Sequence, residues 1–172
     1  MTEYIDENEG PTYSLFVDFK GAFDNVNRAK LLKTANEKFG LKGKIMRTLA
    51  ALLRPNNLII DNGHDLSSPI LQEKGVPQGD SISPVLFVLY VNELLEKLEK
   101  RKIMAKMYAD DLVVASQSID ELQRALAALS IWCEDSEMAV NVGKTKAIKF
   151  RKAGVGLVSG FNRKPKTAVN RR

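Results

Sequence analysis

The spacing of apolar residues alternates along the chain between the period of β-strands and that of α-helices, and the order of these segments constrains the fold most. Residues 13–18 form a β-type apolar run, whereas Leu31, Ala35 and Phe39 recur at helical spacing. The order, roughly β-α-α-β-β-α-β-β-α-β, predicts an α+β fold in which helices pack on one side of a mostly antiparallel sheet. The remaining predicted segments are helices at about 44–53, 82–100 and 119–133 and strands at about 57–61, 68–74, 103–108, 112–116, 139–142 and 145–150.

Several boundaries are marked by residues that start helices or form turns. Asp24 and Asn25 are predicted to cap the first helix, which would begin near residue 26. Ser118, followed three residues later by Glu121, has the spacing of a capping box.

The chain has the size and composition of one globular domain, with 172 residues of which 44% are apolar and 27% charged. Cys133 is the single cysteine and His64 the single histidine, so the chain lacks the residues for an internal disulfide or a zinc site. Any bound metal must therefore rest on carboxylates.

The sequence shows neither a membrane span nor a signal peptide. The longest apolar run, residues 85–91, is far shorter than the roughly 20 residues that cross a bilayer. The first nine residues include four acidic ones, which is the opposite of a basic signal-peptide start. We therefore expect an intracellular protein without a membrane partner, and the sequence does not distinguish nucleus from cytoplasm.

The net charge of +5 arises from the C-terminal end. Residues 150–172 contain seven basic and no acidic residues, so residues 1–149 carry a balance of −2. The basic excess is therefore weak evidence for a nucleic-acid groove. By composition we expect a disordered acidic N-terminus (1–12), one folded domain (13–152) and a basic, disordered tail (153–172).

Three aspartates stand where the strands of a core are expected. Asp18 ends the first apolar strand, and Asp110 and Asp111 lie between two further strands. Taken alone, the adjacent Asp110 and Asp111 are more readily explained as a solvated hairpin turn. A carboxylate beside an apolar strand is costly unless it is paired or metal-bound, so the two strands together indicate carboxylates that converge on one point and suit Mg²⁺. Two such ions about 4 Å apart support phosphoryl transfer of polymerase or nuclease type.

Four segments, which together cover about residues 13–152, resemble motifs A to D of reverse transcriptases and occur in the order found in that family. The motif D segment is similar to that of non-LTR (LINE-like) retrotransposon enzymes, so the chain resembles a palm domain of this type. The matching segments are 16–24 (FVDFKGAFD) for motif A, 75–87 (GVPQGDSISPVLF) for motif B, 108–111 (YADD) for motif C, and Trp132-Cys133 with 141–146 (NVGKTK) for motif D.

The resemblance implies the palm of a right-hand polymerase and RNA-directed DNA polymerase activity. Asp18 and Asp110 would be the principal metal ligands and Asp111 the second acid of the pair, all three being catalytic. The family also implies two Mg²⁺ ions, for which Mn²⁺ is a possible substitute, together with dNTPs and an RNA or DNA template with its primer.

Further residues match positions that contact the incoming nucleotide in this family. Phe23 would lie under the sugar and exclude a 2′-hydroxyl, which selects deoxynucleotides; the alternative is a core aromatic. Gln78 would contact the sugar and base, and Gly79 would permit close backbone approach, although an isolated Pro-Gln-Gly is merely a turn. Phe19 belongs to the same predicted nucleotide-binding group.

Two charged residues have competing interpretations. Lys144 matches the motif D lysine, which can donate a proton to departing pyrophosphate, and a solvated turn lysine explains it equally well. Asp24 is expected to cap a helix rather than to bind metal.

Reverse transcriptases carry fingers strands before motif A and a helical thumb after motif D, and the sequence shows neither pattern. We therefore expect a fragment that polymerises poorly alone, with the remainder of a larger retroelement polypeptide or a second copy as partner. The alternative is an inactive or domesticated palm that binds nucleic acid or protein. A nuclease or cyclase is a more distant one, because Pro-Gln-Gly and YADD occur together.

Overall fold

The fold is that of a computed structural model, which describes residues 10–151 and 154–157. The chain forms two compact units, one containing the described residues up to Lys20 and from Asn92 onward, and the other Gly21–Val91. In chain order the described elements are β1 (Thr12–Val17), α1 (Arg28–Glu37), α2 (Gly43–Leu52), β2 (Asn56–Leu58), β3 (Ile70–Gln72), α3 (Ser83–Glu99), β4 (Met104–Tyr108), β5 (Asp111–Ser116), α4 (Ile119–Asp135), β6 (Lys146–Arg151) and β7 (Gly154–Leu157).

The first unit is built on a five-stranded antiparallel sheet in the order β4-β5-β1-β6-β7. The central strand β1 pairs Leu15 with Val114 and Val17 with Leu112, and all four side chains are buried. Because alternate residues of a strand point to the same face, these pairs form one apolar face of the sheet.

Helix α4 packs against β1 and β5. Among its apolar residues at helical spacing, Leu122, Leu126, Leu129 and Cys133 are buried, whereas Ile119 at the start of the helix is 39% exposed. The fully buried ring of Trp132 meets the ring of Phe19 edge-on, with centroids 6.0 Å apart. This contact anchors the chain immediately after the end of β1.

The second unit contains α1, α2, the β2–β3 hairpin and the first turns of α3. The residues leading out of β3 lie against the segment that leads into α1: Gly75 N–H donates to the Val26 carbonyl (2.8 Å), and Val76 N–H donates to the Phe23 carbonyl (2.9 Å). Segments of motifs A and B are thereby joined through their backbones.

The first half of helix α3 is densely apolar but buries only one stripe of its residues. Leu86, Phe87 and Tyr90 are buried, whereas Val85 and Val88 are more than half exposed.

No helix in the described part of the chain has the length and apolar character needed to cross a membrane.

The predicted α+β palm with a mostly antiparallel sheet is confirmed, but the start of α1 differs from the prediction. Asn27, not Asp24 or Asn25, is the N-cap, and its side chain accepts a hydrogen bond from Lys30 N–H at 2.9 Å. The reason is an earlier turn, in which Asn25 N–H and its side-chain amide both donate to the Gly21 carbonyl.

The capping box predicted for α4 is replaced by a related arrangement. Ser118 is the N-cap and accepts from Asp120 N–H, as expected for its residue type. Glu121, however, accepts a hydrogen bond from the hydroxyl of Ser116, and the Ser116 oxygen accepts from Ser118 N–H at 3.0 Å. Ser116, at the end of β5, is therefore hydrogen-bonded to both Ser118 and Glu121, the two residues of the predicted capping box.

The predicted terminal segments lie mostly outside the described residues. Where they are described, Thr12 already belongs to β1, and Gly154–Leu157 form β7 within the predicted disordered tail. The prediction is wrong for these positions. Val155 and Leu157 alternate with glycines, a period-two pattern that four residues are too few to reveal, and β6 offers a paired edge.

Candidate active site

The YADD segment forms a tight hairpin. Tyr108 pairs with Asp111, which leaves Ala109 and Asp110 as a two-residue turn rather than the predicted three-residue tip. Ala109 has a positive φ of 51°, as the first central residue of the favoured hairpin turns requires. Asp110 is half-buried in the turn, and Asp111 is exposed at the start of β5.

The end of β1 carries Asp18 to the same place. Val17 and Leu112 are the last paired residues of β1 and β5, so one further step in the register sets Asp18 against Asp111. Residues directly opposite each other in an antiparallel pair project from the same face. The backbone therefore brings Asp18 and Asp111 to one face at one end of the sheet, beside the turn that holds Asp110.

The motif D segment is hydrogen-bonded to both sides of Asp18. Asn141 N–H donates to the Asp18 carbonyl at 2.8 Å, and Lys20 N–H donates to the Ala139 carbonyl at 2.8 Å. Asp18 N–H in turn donates to the hydroxyl of Thr145 at 3.4 Å. The backbone of Asp18, the predicted metal ligand, therefore helps to hold the motif D segment in position.

Lys144 lies on a turn that closes on Asn141. Lys144 N–H and Thr145 N–H both donate to the Asn141 carbonyl, at 3.1 and 2.9 Å. The Lys144 ammonium nitrogen lies 3.8 Å from Asp18 Oδ1, with side chains 72% and 28% exposed. Lys144 is thus a turn lysine that also faces the carboxylate, so the two interpretations of this residue are compatible.

The carboxylates do not form a ready-made metal cage. Within the described residues, no three side chains of the types His, Cys, Asp and Glu are grouped closely enough to hold a metal ion, so the predicted convergence on one point is not seen. The donor set still fits Mg²⁺, because this ion takes oxygen ligands and is usually held by one or two carboxylates together with substrate phosphates.

In the second unit, Gln78 and Asp24 are joined. Gln78 Nε2 donates to Asp24 Oδ1 at 2.5 Å, and both residues are exposed. Gly75 lies against the same segment: a Cβ added there would meet the Asp24 carbonyl oxygen at 2.8 Å, and its φ is +85°. Glycine is therefore needed at position 75 for both close approach and backbone conformation.

Phe23 stacks on Phe87, with centroids 4.6 Å apart and planes inclined by 21°. Phe87 is fully buried, whereas Phe23 is half-buried. One face of the Phe23 ring therefore belongs to the core of this unit, and the remainder reaches the surface. The two roles predicted for Phe23 are compatible in the same way as those of Lys144.

One member of the predicted nucleotide-binding group needs correction. The Phe19 side chain is 4% exposed and packs on Trp132, so the prediction of a nucleotide contact is wrong for this ring. The apolar strand pattern that buries Leu15 and Val17 extends to Phe19. Gly79 needs the conformational freedom of glycine for its φ of +84°, and no atom of the described residues lies within 4 Å of an added Cβ, so the close approach of a nucleotide stays a prediction.

Arg28 also supports the site, although its role was not predicted from the sequence. Its buried guanidinium donates to the carbonyls of Gly75 (2.7 Å), Arg54 (2.9 Å) and Gln72 (2.9 Å), and burial lowers its pKa. Arg28 therefore fixes the backbone just before Gln78. The available signal was its spacing, because Arg28 lies on the face of α1 that also carries the buried Leu31 and Ala35.

The sequence of residues 2–164 matches the family model described as reverse transcriptase (RNA-dependent DNA polymerase). The chain belongs to the reverse transcriptase family. Within this family it is similar to the probable RNA-directed DNA polymerase from transposon BS of Drosophila melanogaster, with 27% identity over 77% of the chain. It also resembles the RNA-directed DNA polymerase from mobile element jockey of Drosophila funebris (26% over 81%) and the Pol polyprotein from the type-1 retrotransposable element R2 of Popillia japonica (26% over 81%).

These relatives confirm the predicted non-LTR retrotransposon type. The chain spans 16% of the length of the first two and 25% of the R2 polyprotein. Among solved structures, apo telomerase from Candida tropicalis shares the fold with a TM-score of 0.67 and 19% identity, covering 89% of this chain and 34% of the telomerase chain. Telomerase from Candida albicans, in complex with a fragment of telomeric RNA, also has a TM-score of 0.67, at 17% identity over 85% of this chain and 30% of the telomerase.

Proposed function

We propose that this chain carries the catalytic centre of an RNA-directed DNA polymerase that transfers nucleotides from dNTPs to a primer 3′ end. The observation that carries the proposal is the register of β1 and β5, which sets Asp18 against Asp111 beside the turn residue Asp110. Family membership supports the reaction class, because the curated relatives are named as RNA-directed DNA polymerases.

Asp18, Asp110 and Asp111 would hold two Mg²⁺ ions, with Mn²⁺ as a substitute. When bound, such ions stabilise charge on the transferring phosphoryl group and make the primer hydroxyl a better nucleophile. The oxygen-only donor set and the exposure of Asp111 support this assignment, since the open side of the site is left for phosphate oxygens.

Lys144 would hold a proton at Nζ for the departing pyrophosphate. Its ammonium group faces Asp18 and is largely exposed, so that it can reach a phosphate without breaking a packed contact. A positioned acid of this kind contributes about 10²-fold or more to a rate.

Phe23 and Gln78 would bind the nucleotide itself. The stack on Phe87 supports this role for Phe23, because a ring held on one face cannot turn away from a 2′-hydroxyl. Gln78 is exposed on a loop whose backbone is held by Arg28, Val26 and Phe23, as expected for a residue that presents hydrogen-bonding groups to a ligand.

A nucleic-acid duplex would be the main partner. The solved structure of Candida albicans telomerase is described as a complex with a fragment of telomeric RNA, which supports RNA as a partner of a chain of the same fold. Because the chain spans only 16% of the two Drosophila relatives, we expect further polymerase segments or a second copy to take part in binding the template and primer.

The test is primer extension on poly(rA)/oligo(dT) with dTTP and Mg²⁺. It compares the 172-residue chain with a chimaera in which residues 13–152 replace the matching segment of the jockey polymerase. We expect extension by the chimaera and little extension by the chain alone. A folded chimaera that binds template and primer but never extends would support the alternative, a palm that binds without catalysis.

A further inference from the structure

Asp24 is left without the task that the sequence assigned to it. Asn27 caps α1, and the side chain of Asp24 instead accepts the hydrogen bond from Gln78 Nε2 at 2.5 Å. Both side chains are exposed, so the contact is not a by-product of core packing. Holding two exposed side chains together costs conformational entropy. Their hydrogen bond therefore indicates a favourable interaction between Asp24 and Gln78.

The backbone that leads into Gln78 is already fixed. Before it, Gly75 N–H donates to the Val26 carbonyl and Val76 N–H donates to the Phe23 carbonyl. Immediately before Gln78, the Pro77 carbonyl accepts a hydrogen bond from the Ser83 hydroxyl. The remaining freedom at this position is therefore that of the Gln78 side chain.

The Asp24 carboxylate favours one of the two possible orientations of the Gln78 amide. The amide presents a carbonyl oxygen on one side and an NH₂ group on the other, and a rotation of 180° exchanges them. An ionised carboxylate only accepts hydrogen bonds, so the rotated amide would set oxygen against oxygen. A charge-assisted bond favours one orientation by about tenfold or more.

We propose that Asp24 is a positioning residue that fixes the Gln78 amide with Nε2 toward Asp24, leaving Oε1 as an acceptor for a donor group of the incoming nucleotide. The consequence for a ligand rests on the proposed function, whereas the fixed amide is a property of the chain itself. Asp24 touches neither substrate nor metal in this account and acts through Gln78.

The first experiment uses the 172-residue chain and observes the side-chain amide of Gln78 by ¹⁵N–¹H NMR, assigned by its loss in Gln78→Leu. We expect one amide proton shifted by hydrogen bonding in the wild type and a return to free-glutamine positions in Asp24→Ala. Asp65→Asn, at an exposed aspartate of the β2–β3 loop, is the matched control and should change nothing. A Gln78 resonance that does not respond to Asp24→Ala would overturn the proposal.

The second experiment measures dTTP kinetics in the jockey chimaera. We expect Asp24→Ala to raise the dTTP KM about tenfold with little change in kcat, and Asp24→Asn to recover part of this. In a Gln78→Ala background, Asp24→Ala should add nothing further, whereas independent effects would multiply and contradict the proposal. A chimaera without any activity would count against the proposed function, while the NMR result still decides the role of Asp24.

Discussion

The ammonium nitrogen of Lys144 lies 3.8 Å from Asp18 Oδ1, and the turn that carries Lys144 is itself hydrogen-bonded to the Asp18 carbonyl through Asn141. The lysine of motif D and the aspartate of motif A are therefore held together by backbone contacts as well as by charge. The Lys144 side chain therefore lies beside the Asp18 carboxylate while remaining largely exposed.

Lys144→Ala should lower the polymerase activity while leaving the stability of the fold almost unchanged. Because the ion pair is 72% exposed on the lysine side, we expect the free energy of unfolding to change by less than about 1 kcal/mol. Primer extension by the chimaera should fall about a hundredfold, because the proton donor is lost. Lys33→Ala, at an exposed lysine of α1, is the control for charge removal. Equal activity of the two variants would leave Lys144 as a solvated turn residue.

Phe23→Ala should relax sugar selection. The smaller side chain leaves room for a 2′-hydroxyl, so ribonucleotide incorporation should rise relative to deoxynucleotide incorporation. Loss of the stack on Phe87 should cost about 2 kcal/mol of stability, since the ring is half-buried. Phe39→Ala, at a 39%-exposed phenylalanine of the same unit, should leave sugar selection unchanged. Unaltered discrimination in Phe23→Ala would assign this ring to the core alone.

Gly75 and Gly79 offer a matched pair for separating backbone strain from steric clash. Their φ angles are +85° and +84°, yet an added Cβ meets the Asp24 carbonyl at 2.8 Å at position 75 and nothing at position 79. Gly79→Ala should therefore cost about 1 kcal/mol from strain, and Gly75→Ala at least about 3 kcal/mol. Urea denaturation monitored by circular dichroism measures both. Equal losses would show that the loop gives way to the new methyl group.

Cys133 should make the stability of the fold depend on alkaline pH. Burial raises the pKa of its thiol from 9.0 to about 12, and the Glu134 carboxylate adds to the rise. Between pH 9 and 12 the unfolded chain releases this proton while the folded chain keeps it, so the stabilising contribution is present below pH 9 and declines as the pH rises. The free energy of unfolding can fall by at most roughly 1.4 kcal/mol per pH unit from this group.

Urea denaturation of wild type and Cys133→Ala from pH 8 to 11 checks this dependence. The alanine variant starts less stable because a buried side chain is shortened, and the difference from wild type should shrink as the pH rises. A difference that stays constant would contradict the shifted thiol pKa.

Much of the fold could be predicted from the sequence, because its strands and helices bury clean apolar patterns. The stripe of α4 from Leu122 to Cys133 and the alternation of Leu15 and Val17 each follow one period, and the structure buries both. The start of α1 could not be predicted in this way. Asp24, Asn25 and Asn27 are all good caps by residue type, and the choice among them depends on the Gly21–Asn25 turn.

The candidate site divides in the same manner. Asp18, Asp110 and Asp111 could be proposed from their positions after or between apolar runs, and the strand register sets the first and last of them opposite each other. The roles of Arg28 and Asp24 depend on contacts with residues about fifty positions away, at Gly75 and Gln78. No local period encodes contacts over such a separation.

The most direct measurement of the central claim is Mg²⁺-dependent primer extension by the chimaera carrying Asp110→Asn. This change keeps the side-chain volume and removes a carboxylate ligand, so the circular dichroism spectrum should match that of the parent chimaera while extension falls below detection. Asp65→Asn should extend as well as the parent. Extension by Asp110→Asn at the parent rate would contradict the assignment of these aspartates as the metal-binding centre of a polymerase.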